Sequence, residues 1–133
     1  MSQNIFSALR YRDAPAAIEW LERAFGFERL AVHPGPDDTV AHAELVLGGG
    51  VVMLGSVKPD AYGARSPREV GEISQSLYVW VPDADAHHAR AAAAGAEVFR
   101  GPEDTFYGSR EYSCRDLEGH VWSFGNYRPE TRA

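Results

Sequence analysis

The chain has 133 residues, 44% of them hydrophobic and 24% charged, which is typical of one independently folding domain. Its formal net charge of -6 and the lack of a Lys- or Arg-rich run argue against a nucleic-acid partner. The single cysteine, Cys114, excludes an internal disulfide framework and most sulfur-rich zinc sites. No apolar run is long enough to cross a membrane and no signal-peptide pattern is present, so we expect a cytoplasmic protein without a membrane partner.

The sequence contains an internal repeat. Residues 9–28 and 79–98 each read as a short apolar strand, an Asp, a helix, a Gly and the start of a new strand. Asp13 and Asp83 lie 70 positions apart, whereas Gly26 and Gly95 lie 69 positions apart. The two copies therefore keep register to within one residue, and the pattern predicts a duplicated module.

The first helix is predicted to begin after Asp13, whose side chain suits the N-cap, with Pro15 in the first turn. Ile18, Leu21 and Phe25 then recur at helical spacing, which predicts a face packed on a sheet.

The second helix is predicted to begin at a cap formed by Asp83 or Asp85, and Gly95 suits the left-handed position after its end. His87 and His88 point to different azimuths on this helix, so they do not form a shared metal pair. We expect both to face solvent.

Three strand-like runs follow each helix, separated by turn-forming sequences. The predicted strands are 28–33, 40–47 and 51–56 in the first copy, and 96–100, 109–116 and 120–126 in the second. The sequence thus predicts one α+β domain over residues 1–133, with a βαβββ module at about 4–56, a linker at about 57–73 and a second module at about 74–127. The Pro- and Gly-rich linker is either a functional lid or a plain connection.

The paired modules, with "DAPAAIEWLERAFGFE" opening the first and "RDLEGHVWSF" closing the second, resemble the vicinal-oxygen-chelate superfamily. This superfamily includes glyoxalase I, extradiol dioxygenases, fosfomycin-resistance enzymes and bleomycin-binding proteins. "SPREVG", "VPDADA" and "FYGSRE" are similar to a bacterial, glyoxalase-like branch whose members mostly lack an assigned substrate. The resemblance covers nearly all of the chain and implies two curled sheets around a cavity, commonly in a homodimer that sometimes exchanges modules between chains.

The resemblance also implies where metal ligands would lie in the metal-dependent families, on the first and last strand of each module. These positions correspond to Phe6, Met53, Ser76 (or its neighbours Gln75 and Leu77) and Ser123. Phenyl, thioether and hydroxyl groups do not replace the water ligands of a divalent cation. We therefore expect no metal and no cofactor at the inherited site.

Strand alternation predicts which side chains line the cavity instead. The predicted ligand-binding residues are aromatic or polar, as in most small-molecule pockets: Arg10, His42, Glu44, Tyr78, Trp80, Tyr107, Arg110 and Tyr112. The strand predicted at 109–116 enters this set as the repeat partner of the strand at 40–47, displaced by about 70 positions, which gives Arg110, Tyr112 and Cys114. Trp122 and Phe124 alternate away from Ser123 and are predicted to pack beneath the helices.

Each of these residues has an alternative role. His42 and Glu44 could act as a base and its partner, or satisfy each other's hydrogen bonds. Arg10 could bind a ligand carboxylate or phosphate, or pair with Glu44.

The aromatic residues and the cysteine have alternatives too. Tyr78 and Trp80 could stack on a planar ligand or fill core, and Tyr107 lies on a loop that could close over the pocket. Cys114 is expected to be a buried filler rather than a nucleophile.

These patterns favour a protein that binds a small organic molecule in an aromatic-lined cavity, sequestering a drug or metabolite or acting on it without metal. The alternative is a metal-dependent isomerase, lyase or dioxygenase with displaced ligands such as His42 and Glu44. Whether the protein is an enzyme stays open at this stage.

Overall fold

A computed structural model describes residues 3–129 of the chain. Two βαβββ modules follow one another, as the repeat predicts. The first module contains β1 (Ala8–Tyr11), α1 (Ala14–Phe25), β2 (Glu28–Pro34), β3 (Val40–Leu47) and β4 (Gly50–Ser56). After a connector that includes the short helix α2 (Pro67–Val70), the second contains β5 (Ser76–Trp80), α3 (Ala84–Ala93), β6 (Glu97–Asp104), β7 (Arg110–Arg115) and β8 (Val121–Gly125).

Each module forms its own four-stranded sheet with the same strand order. The orders are β1-β4-β3-β2 and β5-β8-β7-β6. The first strand of each module pairs in parallel with its last strand, and the other pairs are antiparallel. The predicted α+β fold class is thus confirmed, while the assignment of residues 1–133 to a single domain stays a prediction.

Local sequence explains where both long helices begin. The Asp13 carboxylate accepts a hydrogen bond from the amide of Ala16 at 3.1 Å, and Asp83 accepts one from Ala86 at 3.0 Å. These bonds satisfy backbone donors that lack partners in the first helical turn. Asp83, rather than the alternative Asp85, is therefore the cap of α3.

The core lies where α1 meets the second module. The Phe25 ring lies 5.2 Å from the ring of Trp122 and 4.7 Å from that of Phe124, measured between centroids. All three side chains are almost completely buried, and each such burial is worth roughly 1.5–3 kcal/mol. Trp122 and Phe124 therefore pack beneath the helices as predicted, and their contact with Phe25 joins the two modules.

The turn between β7 and β8 forms a second contact between the modules. The Glu118 carboxylate accepts hydrogen bonds from the backbone amides of Arg12 and Asp13, at 2.6 and 2.8 Å. The His120 ring contacts the carbonyl oxygen of Arg10 through Nε2 at 2.9 Å. Three residues of one turn thus fix the junction between β1 and α1, because Asp116 bonds Tyr11 there as well.

Contrary to the expectation that both histidines of α3 face solvent, His88 is partly buried and so is His87. The His87 ring lies between the Tyr112 hydroxyl, 2.5 Å from Nδ1, and the carbonyl oxygen of Phe25, 2.9 Å from Nε2. The helix is rich in alanine and buries Ala84 and Ala91, so its small side chains leave room for an imidazole to reach the core. No helix within residues 3–129 is long and apolar enough to cross a membrane.

Candidate functional site

Each sheet has one face packed on the core and one open face. In the first sheet the side chains of Leu9, Tyr11, Ala43, Leu45 and Leu54 are buried, whereas side chains on the opposite side are partly buried or exposed. We call that side the first open face; it carries Arg10, His42, Glu44 and Met53. The second open face carries Ser76, Tyr78, Trp80, Glu111, Ser113 and Ser123, opposite the buried Leu77, Trp122 and Phe124.

Arg10 lies on the first open face and binds the connector. Its Nη2 donates to Oδ2 of Asp60 at 2.9 Å, and its guanidinium lies 5.6 Å from the centroid of the Tyr62 ring. The predicted alternative, a pair with Glu44, does not form. Arg10 and Tyr62 line a hollow of about 250 Å³, together with His42 and Met53, and Asp60 pairs with Arg10 beside it. The connector therefore covers part of the first open face.

His42 and Glu44 point to the same side of β3, as predicted. Nε2 of His42 lies 2.9 Å from Oε2 of Glu44, and the two side chains are 42% and 39% exposed. The His33 ring stands across the strand pair, 6.0 Å from the His42 ring. His42 and Glu44 thus satisfy each other's hydrogen bonds, which is the second of the two roles that the sequence left open.

Tyr78 and Trp80 lie on the second open face and are each 39% exposed. The alternative that they fill the core is therefore wrong. Both line a cleft of about 620 Å³ between β5 and the end of the β3–β4 hairpin. Arg128 lies over the Trp80 ring at 4.1 Å, and the Tyr78 hydroxyl donates to the carbonyl oxygen of Tyr127. An exposed aromatic wall of this kind can stack on a planar ligand.

Glu111 is a buried carboxylate on the second open face that the sequence analysis did not predict. Glu111 is 3% exposed and pairs with Nη2 of Arg100 at 2.9 Å. The Tyr107 hydroxyl donates to its other oxygen at 2.8 Å. Burial opposes ionisation of Glu111, but the hydrogen bonds from Arg100 and Tyr107 outweigh it and lower the pKa of its carboxyl. Ser113 and Ser123 continue this polar surface, their hydroxyl oxygens 2.7 Å apart.

The sequence did contain a signal for Glu111 and Ser113. Glu44 pairs with Met53 in the first sheet, and Ser113 pairs with Ser123 in the second. Met53 and Ser123 are 70 positions apart, but Glu44 and Ser113 are 69 apart, which is the spacing of Gly26 and Gly95. Side chains alternate along a strand, so a spacing of 69 instead of 70 moves each predicted side chain to the opposite face. The open face therefore carries Glu111 and Ser113, not Tyr112 and Cys114.

Tyr112 and Cys114 therefore lie on the wrong face for the predicted cavity. Both are 0% exposed and belong to the hydrophobic core. Burial raises the pKa of Tyr112 well above its ordinary value, and burial together with the Asp116 charge raises the pKa of Cys114 to about 12. Tyr112 thus packs under α3, and Cys114 is the buried filler that the sequence analysis expected.

Arg110 and Tyr107 lie at the end of the second sheet. Arg110 pairs with Asp85 at 3.2 Å and with Asp104 at 3.4 Å, which directs its side chain toward the start of α3. Tyr107 is 47% exposed, and its hydroxyl contacts Glu111. Six of the eight predicted residues therefore lie in three separate places: Arg10 with the His42–Glu44 pair, Tyr78 with Trp80, and Tyr107 beside Glu111. Arg110 and Tyr112 lie apart from these places.

The fold has counterparts among known proteins. Residues 5–124 match the Glyoxalase/Bleomycin resistance protein/Dioxygenase superfamily. The chain belongs to this superfamily. The match covers both modules and the connector between them, so the predicted resemblance is confirmed.

Several known proteins are similar to this chain over most of their length. TioX from Micromonospora sp. ML1 is 34% identical, with a TM-score of 0.75 over 98% of this chain and 100% of TioX. An uncharacterized protein of Mycobacterium tuberculosis is 37% identical over 115 residues, which are 85% of this chain and 68% of that protein. TnmS3, an antibiotic binding protein from Streptomyces sp. CB03234, is 21% identical with a TM-score of 0.66 over 93% of this chain and 96% of TnmS3.

The residues at the metal positions that the resemblance implies do not fit a divalent cation. Met53 lies beside Ala8 and Glu44 in the first sheet, and Ser123 is hydrogen-bonded to Ser113. Phe6 and Ser76 offer a phenyl ring and an exposed hydroxyl. These groups are poor ligands for hard or borderline cations. Between residues 3 and 129, no three or more His, Cys, Asp or Glu side chains are grouped so that they could hold a metal ion.

Proposed function

We propose that this member of the superfamily binds a small organic molecule at its open faces, and that it sequesters a drug or metabolite without the usual metal site. The observation that carries the proposal is the exposed aromatic wall of Tyr78 and Trp80, which stands where neither side chain is needed for the core. Aromatic walls with a few polar anchors are the usual lining of ligand pockets.

The chemistry of the two faces supports this function. Tyr78 and Trp80 offer flat apolar surfaces, and Arg10 offers a planar, permanently charged donor group. TnmS3 gives an example of this fold in an antibiotic binding protein, and its likeness to the present chain is one of fold. Binding of a planar molecule needs only stacking and a few hydrogen bonds, so it requires no metal.

We further propose that a second copy of the chain completes the binding site. The cleft at Tyr78 and Trp80 has about 620 Å³, within the roughly 300–1,000 Å³ of ordinary ligand pockets, but the hollow at Arg10 has only about 250 Å³. Phe6, Tyr78 and Trp80 are 42%, 39% and 39% exposed, and exposed apolar surface of this kind marks contact sites. A homodimer in which the open faces oppose each other would enclose a larger cavity.

The experiment that tests the binding function is a screen by ligand-detected NMR, followed by calorimetry, with aromatic metabolites and antibiotics. We expect at least one compound to bind, and Trp80→Ala to weaken that binding. Phe99→Ala is the matched control, because Phe99 is 49% exposed but packs against Arg115 on an outer strand. A panel without any binder, or a bound compound that is indifferent to Trp80→Ala, contradicts the proposal.

Elemental analysis of the protein purified without a metal-affinity tag examines the alternative function. We expect less than stoichiometric metal. A stoichiometric metal ion that is lost on His42→Ala would instead establish a metal site with displaced ligands and overturn the proposal.

A further inference from the structure

The guanidinium of Arg10 has a hydrogen-bond donor that no group within the described part of the chain uses. Nη2 donates to Asp60, but Nη1 is buried and has no hydrogen-bond partner within residues 3–129. The side chain is only 16% exposed. A buried N–H group without a partner is unfavourable, and more so on a charged group. Nη1 of Arg10 can therefore donate to a binding partner that residues 3–129 do not supply, such as a hydrogen-bond acceptor on a ligand.

The surroundings of Arg10 favour an anion as that acceptor. The lining of the adjacent hollow contains two ionisable groups of the basic type, Arg10 and His42, and no carboxylate. The rest of the lining is apolar or backbone, apart from the Tyr62 ring. The Arg10 side chain is 16% exposed, and a partly buried guanidinium attracts a carboxylate more strongly than one in bulk water does.

Asp60 shows how a carboxylate binds at this position. It reaches Arg10 from the connector and uses Oδ2 for Nη2, while its Oδ1 accepts from the amide of Tyr62 at 3.2 Å. The hydrogen bond from Arg10 lowers the pKa of Asp60, which keeps the carboxylate ionised. The contact involves one oxygen and one nitrogen, whereas a free carboxylate could bind both Nη1 and Nη2 in the bidentate geometry that arginine prefers.

We propose that Arg10 is an anion subsite that binds a carboxylate group of the ligand, and that Asp60 is an internal competitor which the ligand displaces. This inference rests on the proposed binding function and narrows its ligand class to aromatic carboxylates. The connector then has a role in binding, because release of Asp60 uncovers the guanidinium. The Tyr62 ring beside Arg10 provides a surface on which the aromatic part of such a ligand can pack.

The experiment compares two probes of nearly equal shape, 1-naphthoate and 1-naphthamide, by calorimetry and ligand-detected NMR. In the wild-type protein naphthoate is expected to bind more tightly than naphthamide. Asp60→Asn is expected to raise the affinity for naphthoate about three- to tenfold, because it removes the competing charge. Arg10→Gln is expected to lower it about tenfold or more. Neither substitution should change the affinity for naphthamide by more than about twofold.

Matched controls are Arg23→Gln and Asp37→Asn, which change the same residue types at exposed positions away from Arg10. Arg10→Lys keeps the charge without the planar fork and is expected to bind naphthoate with intermediate affinity. Should Arg10→Gln fail to fold, the nitrogen resonances of the Arg10 guanidinium in the wild-type protein provide the readout. They are expected to shift with naphthoate and not with naphthamide.

Three results would overturn the inference. Equal affinity of the wild-type protein for both probes would remove the anion subsite while leaving the proposed binding function intact. No detectable binding of naphthoate by Asp60→Asn would show that a free guanidinium does not suffice. Dissociation of a dimer by Arg10→Gln with unchanged naphthoate affinity would assign Nη1 to a subunit contact.

Discussion

The phenolic oxygen of Tyr11 donates a hydrogen bond of 2.5 Å to Oδ2 of Asp116, across the boundary between the two modules. The same carboxylate accepts from the Trp122 indole and from the backbone amides of Glu118 and His120, at 3.0 to 3.1 Å. Burial and the Asp116 charge raise the pKa of Tyr11 well above its ordinary value, so its hydroxyl remains a donor at neutral pH.

Removal of this hydroxyl should destabilise the protein. Tyr11→Phe is expected to lower the free energy of unfolding by about 1.5–3 kcal/mol, since a hydrogen bond to a buried carboxylate is lost. Urea denaturation at fixed protein concentration measures the change. Tyr62→Phe is the control, because Tyr62 is 84% exposed and should change stability by less than about 0.5 kcal/mol. Identical midpoints for Tyr11→Phe and the wild type would refute the assignment.

His87 should make stability depend on pH. Burial lowers the pKa of His87 below its ordinary value, so below about pH 6.5 the unfolded chain binds a proton that the folded protein resists. The contribution of His87 is therefore complete above pH 6.5 and is lost as the pH falls toward the lower folded pKa. The expected slope is up to about 1.4 kcal/mol per pH unit in that window.

Denaturation of two variants between pH 7.5 and 5.5 isolates this effect. His87→Gln should be less stable at pH 7.5 but should lose less stability on acidification than the wild type does. His88→Gln is the matched control on the same helix and should keep the wild-type dependence. An unchanged pH dependence in His87→Gln would mean that other groups cause it.

Cys114 should be unreactive in the folded protein. It is 0% exposed, and burial followed by the Asp116 charge raises its pKa to about 12. Because the thiolate is the reactive form, Ellman's reagent is expected to label the native protein only at the rate of unfolding, and to label it at once in guanidinium chloride. Fast stoichiometric labelling of the native protein would contradict the core position of Cys114.

The protein is expected to be a homodimer. Light scattering should give about twice the chain mass of 14.6 kDa. Trp80→Glu should shift the population toward the monomer, since a charge would replace an apolar contact on the second open face, whereas Phe99→Glu should not. A monomeric mass that does not change with concentration would rule out this assembly.

Local and repeating features were readable from the sequence. The Asp caps, the helical face of Phe25 and the order of elements depend on neighbouring residues or on a period, and the structure confirms them. Prediction of which β7 side chains face the cavity required the correct spacing between the two repeats. The Asp residues are 70 positions apart, but the spacing that applies to β7 is 69. An error of one residue in that spacing was enough to predict Tyr112 at the cavity in place of Glu111.

Other contacts were not readable because no local pattern encodes them. Asp60 reaches Arg10 from a connector without periodicity, across 50 positions of the chain. The burial of His87 depends on how α3 sits against Phe25 of the other module. Sequence reasoning can place such residues on an element, but the packing of distant elements decides their partners.

The outer strands β2 and β6 limit how the protein can aggregate. Each ends its sheet, and each contains a proline, Pro34 in β2 and Pro102 in β6, together with charged residues and a shift in pairing register. Proline offers no amide hydrogen, and irregular charged edges resist pairing with a foreign strand. Stacking of chains into open-ended fibrils through these strands is therefore disfavoured.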